Sequence, residues 1–144
     1  WYINGVEHGN VTLWFENGRK QQEAVLKNGK SEGKVTSWSD DGKLRREIEY
    51  KNGMRDGKSI IYHSNGQIGE IGTYKEGFPD GKLIKFDPKG KKIKQESYKD
   101  GKKHGEWVVY DFNGLKLESS TYEYDVLNGL YTSWIEGIED YKGD

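Results

Sequence analysis

Apolar and aromatic residues occur along this chain in short runs that alternate with polar positions and end at glycine. In one such run, residues 59–63 read SIIYH and stand between DG and SNG. β-Branched and aromatic residues bounded by turn-forming residues are typical of strands, rather than of the 3.6-residue stripe of an amphipathic helix. The pattern therefore predicts an all-β chain of short strands joined by tight turns.

The runs recur with a period of 24 residues. A glycine column without exception contains Gly9, Gly33, Gly57, Gly81, Gly105 and Gly129. Two further glycine columns begin at Gly5 and Gly18, and in the last unit Asp125 replaces the first glycine and Gly137 stands one place late in the second. About 24 residues hold one hairpin with its connections. We therefore predict an open single-layer ribbon of twelve strands, formed by one array of six hairpin repeats with units at 1–24, 25–48, 49–72, 73–96, 97–120 and 121–144.

Aromatic residues occupy two columns of the same period. The first contains Trp14, Trp38, Tyr62, Phe86, Tyr110 and Trp134. The second contains Tyr2, Tyr50, Tyr74, Tyr98 and Tyr122, with Leu26 as the substitute. A hairpin alone is marginally stable, and arrays of repeats are stabilised by contacts between neighbours. We therefore interpret both columns as a structural aromatic ladder.

Two geometries compete for the hairpin turns at sequences such as SNG and PKG. One is a two-residue turn, and the other is a three-residue loop that ends in a left-handed glycine. Pro88 favours the three-residue loop, because proline suits the first position of a type I turn. In that register positions 14 and 26 share a face, so we expect both aromatic columns on one side of the sheet. A two-residue turn would place them on opposite faces.

Composition adds that the structure must be thin. Only 32% of the residues are hydrophobic and 33% are charged, yet 13% are aromatic and 20 are glycine. We therefore expect a sheet stabilised by rings rather than a deep core. The net charge of −1 provides no global field for nucleic acid or an anionic membrane. The absence of cysteine excludes disulfides, thiolate zinc sites and thiol catalysis.

The repeated phrase YKNGxxxGxxxxYxxNG carries a family signature. It stands at residues 50–66, with echoes in YKEGFPDGKLIKFDPKG and YKDGKKHGEWVVYDFNG. This phrase resembles the MORN repeat, and it is most similar to the variant form found in bacterial antitoxins of toxin–antitoxin systems. The resemblance covers the whole chain and implies an elongated, twisted antiparallel sheet of successive hairpins. It also implies a role in protein association or membrane-linked scaffolding.

A kinase activity is not expected from this resemblance. MORN repeats also accompany the catalytic domain of plant phosphatidylinositol phosphate kinases, so a kinase label could be inherited by similarity. The sequence has no nucleotide loop before a lysine strand, no catalytic aspartate motif and no Asp-Phe-Gly, and its glycines follow the 24-residue period.

The compartment is open at this stage. No apolar run approaches the roughly 18 residues of a membrane-spanning helix, so we expect a soluble protein. The chain begins at Trp1 without methionine or an apolar signal segment. We therefore expect that an N-terminal segment has been removed, and both a bacterial cytoplasmic and an exported location agree with the sequence.

Side chains that could carry chemistry are scattered along the array. His8 and His104 share a column just before the invariant glycine, where a role as polar turn residues explains them better than catalysis. His63 is expected at the surface of a strand. Glu23 and Glu47 lie on successive hairpins, but pairing with exposed lysine or arginine accounts for them. We assign no catalytic residue, no cofactor and no metal site.

Two surfaces are candidates for binding. The fourth unit is rich in lysine and could contact an anion through Lys85, Lys89, Lys91, Lys92 and Lys94. Aromatic residues outside the regular columns are candidates for a partner surface, because variation between repeats is where specificity can arise. These residues are Phe15, Trp107, Phe112 and Tyr131.

The sequence therefore favours a non-enzymatic repeat protein that binds another protein or acts as a scaffold, with an antitoxin-like role implied by the resemblance. The alternative is a module that binds lipid headgroups or carbohydrate at a membrane or cell envelope, through the lysines of the fourth unit or an exposed aromatic row. Nucleic acid is a poor candidate, because strand binding needs basic walls along the array and the other five units lack the lysines.

Overall fold

The computed structural model describes residues 2–3, 6–129, 131–135 and 138–142, and the side chains of residues 6–129 and 131–134. Every regular element in these residues is a β-strand, and none of them forms a helix of the length and apolar character needed to cross a membrane. The strands are β1 (Tyr2–Ile3), β2 (Val6–Glu7), β3 (Gly9–Trp14), β4 (Lys20–Lys27), β5 (Lys30–Ser31), β6 (Gly33–Trp38), β7 (Leu44–Lys51), β8 (Met54–Tyr62), β9 (Ile68–Lys75), β10 (Phe78–Pro79), β11 (Gly81–Phe86), β12 (Lys92–Lys99), β13 (Lys102–Lys103), β14 (Gly105–Tyr110), β15 (Lys116–Glu123), β16 (Val126–Leu127), β17 (Tyr131–Ile135) and β18 (Ile138–Lys142).

The described strands form one antiparallel sheet of successive hairpins. Its spatial order is β18-β17-β15-β14-β12-β11-β9-β8-β7-β6-β4-β3, so neighbours in the chain are neighbours in the sheet. Short strands pair beside this path, β5 with β4, β10 with β9, β13 with β12 and β16 with β15. At the N-terminal end β1 pairs with β2. The predicted open array of hairpins is confirmed, and the short strands are additional to it.

The turn inside each hairpin is the predicted three-residue loop. In the first hairpin the N–H of Gly18 donates to the carbonyl of Phe15 at 2.9 Å. The N–H of Phe15 donates to the carbonyl of Arg19 at 2.8 Å and closes the loop. Gly18 has φ +79°, a left-handed conformation that glycine adopts without steric cost. In the fourth unit Pro88 occupies the first loop position, where its fixed φ suits a type I turn.

The prediction that both aromatic columns lie on one side of the sheet is wrong. In the first hairpin Leu13 pairs with Gln22. The next residue, Trp14, pairs with Lys20, so β4 contains one extra residue. The same shift occurs in the following hairpins, in β7, β9, β12 and β15. One extra residue reverses the side to which the adjoining side chains point, so the columns of Trp14 and Leu26 lie on opposite faces.

The predicted aromatic ladder is therefore divided between two faces, which we name by their most regular columns. The tryptophan face carries Trp14, Trp38, Tyr62, Phe86, Tyr110 and Trp134. The tyrosine face carries Leu26, Tyr50, Tyr74, Tyr98 and Tyr122. The side chain of Tyr2 lies outside the described residues.

A different turn connects one hairpin to the next. Asn52 and Gly53 form a two-residue turn between β7 and β8, with φ +50° and +82°. Positive φ at both positions defines a type I′ turn, which the dipeptide Asn-Gly favours. In the last unit Asp125 takes the place of the glycine and has φ +73°. Strands β17 and β18 then pair as the closing hairpin, whose connection, including the displaced Gly137, lies outside the described residues.

The invariant glycine column is required by both conformation and space. Gly57 has φ +111°, a value that side-chain-bearing residues rarely adopt. A Cβ at this position would lie 2.1 Å from Oε2 of Glu49. That carboxylate oxygen accepts the N–H of Lys58 at 2.7 Å, so it is held in place. A side chain at position 57 would displace this contact.

The core is thin, as the composition predicts. In the described part of the chain the buried hydrophobic side chains are Ala24, Val35, Ile48, Ile60, Leu83 and Val108. They belong to both faces of the sheet, because the register places Val35 on the tyrosine face and Val108 on the tryptophan face. Neighbouring units, rather than a second layer, cover these side chains in the described sheet.

The type I′ turns provide a test of the backbone account. Glu76 occupies with φ +50° the position that Asn52 occupies in the previous unit. Asparagine tolerates the left-handed conformation better than glutamate. We expect Glu76→Asn to raise the free energy of unfolding by about 0.5–1 kcal/mol, and Asn52→Glu to lower it by a similar amount. Urea denaturation measures both, and a Glu76→Asn variant less stable than the wild type would contradict the turn assignment.

Candidate functional site

The structure brings together two of the four aromatic residues predicted as a partner surface. Trp107 and Tyr131 lie on adjacent hairpins of the tyrosine face and line one cavity of about 210 Å³. Phe112 lies in the turn between β14 and β15, and Phe15 lies in the turn between β3 and β4. These last two residues are therefore separate from the cavity.

Trp107 is held in a fixed orientation by its neighbours. Its ring centroid lies 5.2 Å from that of Tyr98, at an interplanar angle of 62°. The ring of Tyr122 lies 5.6 Å away on another side, at 63°. The indole Nε1–H donates to the carbonyl of Ser97 at 2.9 Å. Edge-to-face packing together with this hydrogen bond fixes the ring, which leaves its surroundings pre-organised.

Two ammonium groups lie over these rings. Nζ of Lys103 is 4.5 Å from the ring centroid of Trp107 and 4.8 Å from that of Tyr122, and Nζ of Lys94 is 5.4 Å from Trp107. Cations at such distances are attracted by the negative face of a ring. We call this set the Trp107 cluster, and its members are Lys94, Tyr98, Lys103, Trp107, Tyr122 and Tyr131.

Lys94 differs from Lys103 because a buried carboxylate neutralises it. Nζ of Lys94 lies 2.6 Å from Oε1 of Glu96, which is only 5% exposed. Lys85 approaches the other oxygen of Glu96 at 3.8 Å. In the described part of the chain no carboxylate lies within 4.0 Å of the ammonium of Lys103. The charge of Lys103 is thus the less compensated of the two.

The five lysines predicted as an anion patch do not form one surface. Lys85 and Lys94 lie on the tyrosine face, where they pair with Glu96. Lys92 lies on the tryptophan face, 5.4 Å from the ring centroid of Tyr110. Lys89 and Lys91 are at the hairpin turn, where Nζ of Lys91 donates to the carbonyl of Phe112 at 2.7 Å. Alternation of side chains along β11 and β12 separates the cluster that the sequence suggested.

Phe112 borders a second, more open groove. This groove has a volume of about 750 Å³ and is lined by Tyr110, Phe112, Leu115, Leu117 and Trp134, among others. Phe112 is 78% exposed. The side chains that follow Trp134 lie outside the described residues, so the groove adds no site to the discussion of function.

The column of His8 is a structural column, as the sequence analysis interpreted it. Nδ1 of His8 accepts the N–H of Asn28, 20 residues later, at 3.4 Å. Equivalent carboxylates accept the N–H of the equivalent turn residues, Glu32 from Asn52, Asp56 from Glu76 and Asp80 from Asp100, at 2.9–3.2 Å. Each side chain therefore supports the turn of the next unit.

His63 is half-buried, not at the surface as expected. Its Nε2 lies 2.8 Å from the carbonyl oxygen of Phe86, in the next unit, so the ring nitrogen donates there. The ring covers Gly69, where an added Cβ would lie 3.0 Å from it. His63 is thus a contact between units.

The two carboxylates considered for paired catalysis are engaged in separate contacts. Glu23 forms an ion pair with Lys20. Glu47 accepts the hydroxyl of Tyr62 at 2.7 Å and lies 3.0 Å from Nζ of Lys34. The hydrogen bond from Tyr62 lowers the pKa of Glu47, and Lys34 lowers it further. Burial raises the pKa of Tyr62 to about 12, and the contact with Glu47 adds to that shift.

Lys103 is the member of the cluster that sequence reasoning missed. The sequence places it in the turn phrase YKDGKKHG, away from the lysines of the fourth unit. Pairing of β13 with β12 sets it opposite Tyr98. Arg55, two units earlier, lies 5.1 Å from the ring centroid of Tyr74 in the same way. A basic residue two places before the invariant glycine, followed by tyrosine 19 residues later, was the available signal.

Comparison with known proteins identifies three consecutive repeats. Residues 31–52, 55–76 and 79–100 each match the family model described as the MORN repeat variant. The matches begin 24 residues apart, which is the period of the glycine columns. These three units are therefore MORN repeat variants, and the resemblance is confirmed for them. No curated protein matches the chain.

The contact between His63 and Gly69 predicts a pairwise effect on stability. Gly69→Ala should reduce the free energy of unfolding by about 1–2 kcal/mol, because the added methyl group meets the imidazole ring. In a His63→Ser background, which copies Ser39 of the equivalent position, the same change should cost clearly less. Thermal or urea unfolding of the four proteins gives the coupling. Equal costs in both backgrounds would exclude the contact.

The phenol of Tyr62 predicts a dependence of stability on alkaline pH. A pKa raised to about 12 in the folded protein means that the contribution is fully present below about pH 10 and is lost between about pH 10 and 12. Tyr98, whose pKa is also raised to about 12 by burial and by Glu96, acts in the same window. Tyr62→Phe should therefore make the free energy of unfolding fall less steeply over this range. Parallel pH profiles for the variant and the wild type would refute this role of the phenol.

Proposed function

We propose that this chain is a non-enzymatic repeat module that binds another protein through the Trp107 cluster. The observation that carries the proposal is the unit-specific enlargement at Trp107 and Tyr131. Their column holds smaller side chains in the earlier units, Val11, Val35, Ser59 and Leu83. Those units form the same hairpin, so the fold does not require the two rings.

The cluster also has the composition of an interface centre. Tryptophan and tyrosine bury a large area and keep a polar handle, and they are enriched among the residues that dominate binding energy. Trp107 is fixed by Tyr98, Tyr122 and Ser97, so little side-chain entropy would be lost on association. Charged residues surround the rings, as is typical of the rim of an interface.

The proposal that no reaction is catalysed is supported by where the polar groups lie. Within the described residues, no group of three or more His, Asp or Glu side chains is arranged to hold a metal ion. The histidines support turns or bridge units, and Glu23 and Glu47 pair with different lysines. Successive repeats keep these groups apart, because each unit contacts its neighbours.

The resemblance to antitoxin repeats suggests the kind of partner. We extend the proposal to a partner protein encoded beside this chain, as a toxin is beside its antitoxin, in either a bacterial cytoplasmic or an exported setting. An elongated array of hairpins presents a continuous surface, which suits the masking of a partner along one face.

Binding of an identified partner tests the proposal. Proteins retained by the chain from its native host would be identified, expressed separately and measured by calorimetry. Trp107→Leu and Tyr131→Leu both reproduce the side chain of Leu83, so the repeat frame accepts them. Each should weaken binding at least about tenfold.

Leu13→Ser is the matched control, because Leu13 is 48% exposed on the tyrosine face of the first unit. It should leave the dissociation constant unchanged. Wild-type affinity in both leucine variants, or failure to retain any protein, would count against the proposal.

A further inference from the structure

The Trp107 cluster borders opposite charges at its two ends. The ammonium of Lys103 lies over Trp107 and Tyr122 at one end. At the other end Glu118 lines the cavity beside Lys94, whose own charge is compensated by Glu96. Among the described residues neither Lys103 nor Glu118 has an ion-pair partner within 4.0 Å. A ligand that bears both charges would therefore compensate both ends.

Lys103 is positioned by its main chain. Its N–H donates to Oδ1 of Asp125 at 2.8 Å, and its carbonyl accepts the N–H of Asp125 at 2.9 Å. Strand pairing places it opposite Tyr98. The ammonium is thus held beside the rings before any ligand arrives, which reduces the entropy lost on binding.

The spacing of the two charged ends fits an extended peptide. Glu118 and Tyr122 lie on the same strand, β15, and their separation of four residues corresponds to about 13 Å. An extended peptide projects residues i, i+2 and i+4 to one side over the same length. The cavity between the ends is walled by Trp107 and Tyr131 and can receive an apolar side chain.

We infer that the Trp107 cluster binds an extended peptide segment that presents an acidic residue to Lys103, an apolar residue to the rings and a basic residue to Glu118. The inference rests on the proposed function, because it names the chemistry of the partner at the same site. Charge complementarity at both ends distinguishes this segment from a purely apolar or purely acidic one.

The chain contains an internal comparison for this arrangement. Two units earlier, Arg55 lies over the ring of Tyr74 as Lys103 lies over Tyr122. The position of Trp107 is taken there by Ser59, which is 2% exposed and provides no ring wall. Arg55→Glu is therefore a matched control, because it reverses a charge in the same setting without touching the cluster.

Selection from a random peptide library displayed on phage tests the inference. The wild type should enrich peptides with one acidic and one basic residue flanking an apolar residue at alternate positions. Lys103→Glu makes both ends negative and should enrich a basic residue at both flanks. Glu118→Lys makes both ends positive and should enrich an acidic residue at both flanks. Arg55→Glu should select the wild-type pattern.

An enriched peptide also provides a quantitative test. Its affinity for the wild type should fall at least about tenfold on Lys103→Glu and on Trp107→Leu, and it should weaken with added salt. Enriched peptides without flanking charges, or without a change of pattern in the two charge variants, would overturn the inference. Enrichment of no peptide, together with retention on phosphatidylcholine–phosphatidylglycerol vesicles, would assign the cluster to lipid and overturn it too.

The two proposals fail in different ways. If the identified partner loses affinity with Trp107→Leu but not with Lys103→Glu or Glu118→Lys, the peptide chemistry is wrong and the binding site stands. If Trp107→Leu leaves the partner's affinity unchanged, the proposed function falls with it.

Discussion

A main-chain hydrogen bond between successive units holds this protein together. In each type I′ turn the N–H of the second turn residue donates to a carbonyl 22 residues earlier, in the preceding unit. The donors are Gly29, Gly53, Gly77, Gly101 and Asp125, at 2.8–3.1 Å. The bond needs a backbone with positive φ and no particular side chain, so it survives where aspartate replaces glycine. It sets the length of a unit, because an inserted residue would move the donor away from its acceptor.

This backbone frame leaves the side-chain columns free to differ between units. The column of Trp107 illustrates this, since serine, valine, leucine, tryptophan and tyrosine all occur in it within the same hairpin. Rings that the frame does not need can serve recognition, and Trp107 is fixed by contacts that come from adjacent strands. Lys103 is part of the same logic, because the turn of the next unit, through Asp125, clamps its main chain. A recognition surface thus arises from the contact between neighbouring units.

Sequence alone predicted the period, the all-β class, the hairpin array and the three-residue loop, because glycine and Pro88 mark turns through their own backbone preferences. It did not predict the extra residue in the second strand of each hairpin, since Gln21, Gly69 and Ile93 at that place share no chemistry. The faces of the two aromatic columns were wrong for that reason. Trp107 stood out by its irregularity, whereas the lysines of the fourth unit looked like one patch because alternation between faces is invisible in their spacing.

Native-state hydrogen exchange tests most directly whether turn-to-carbonyl bonds connect the units. The account predicts that the amides of Gly53 and Gly77, although they lie in exposed turns, exchange as slowly as amides of the adjoining strands. Exchange at these two positions as fast as at Glu16, at the tip of a hairpin loop, would contradict it.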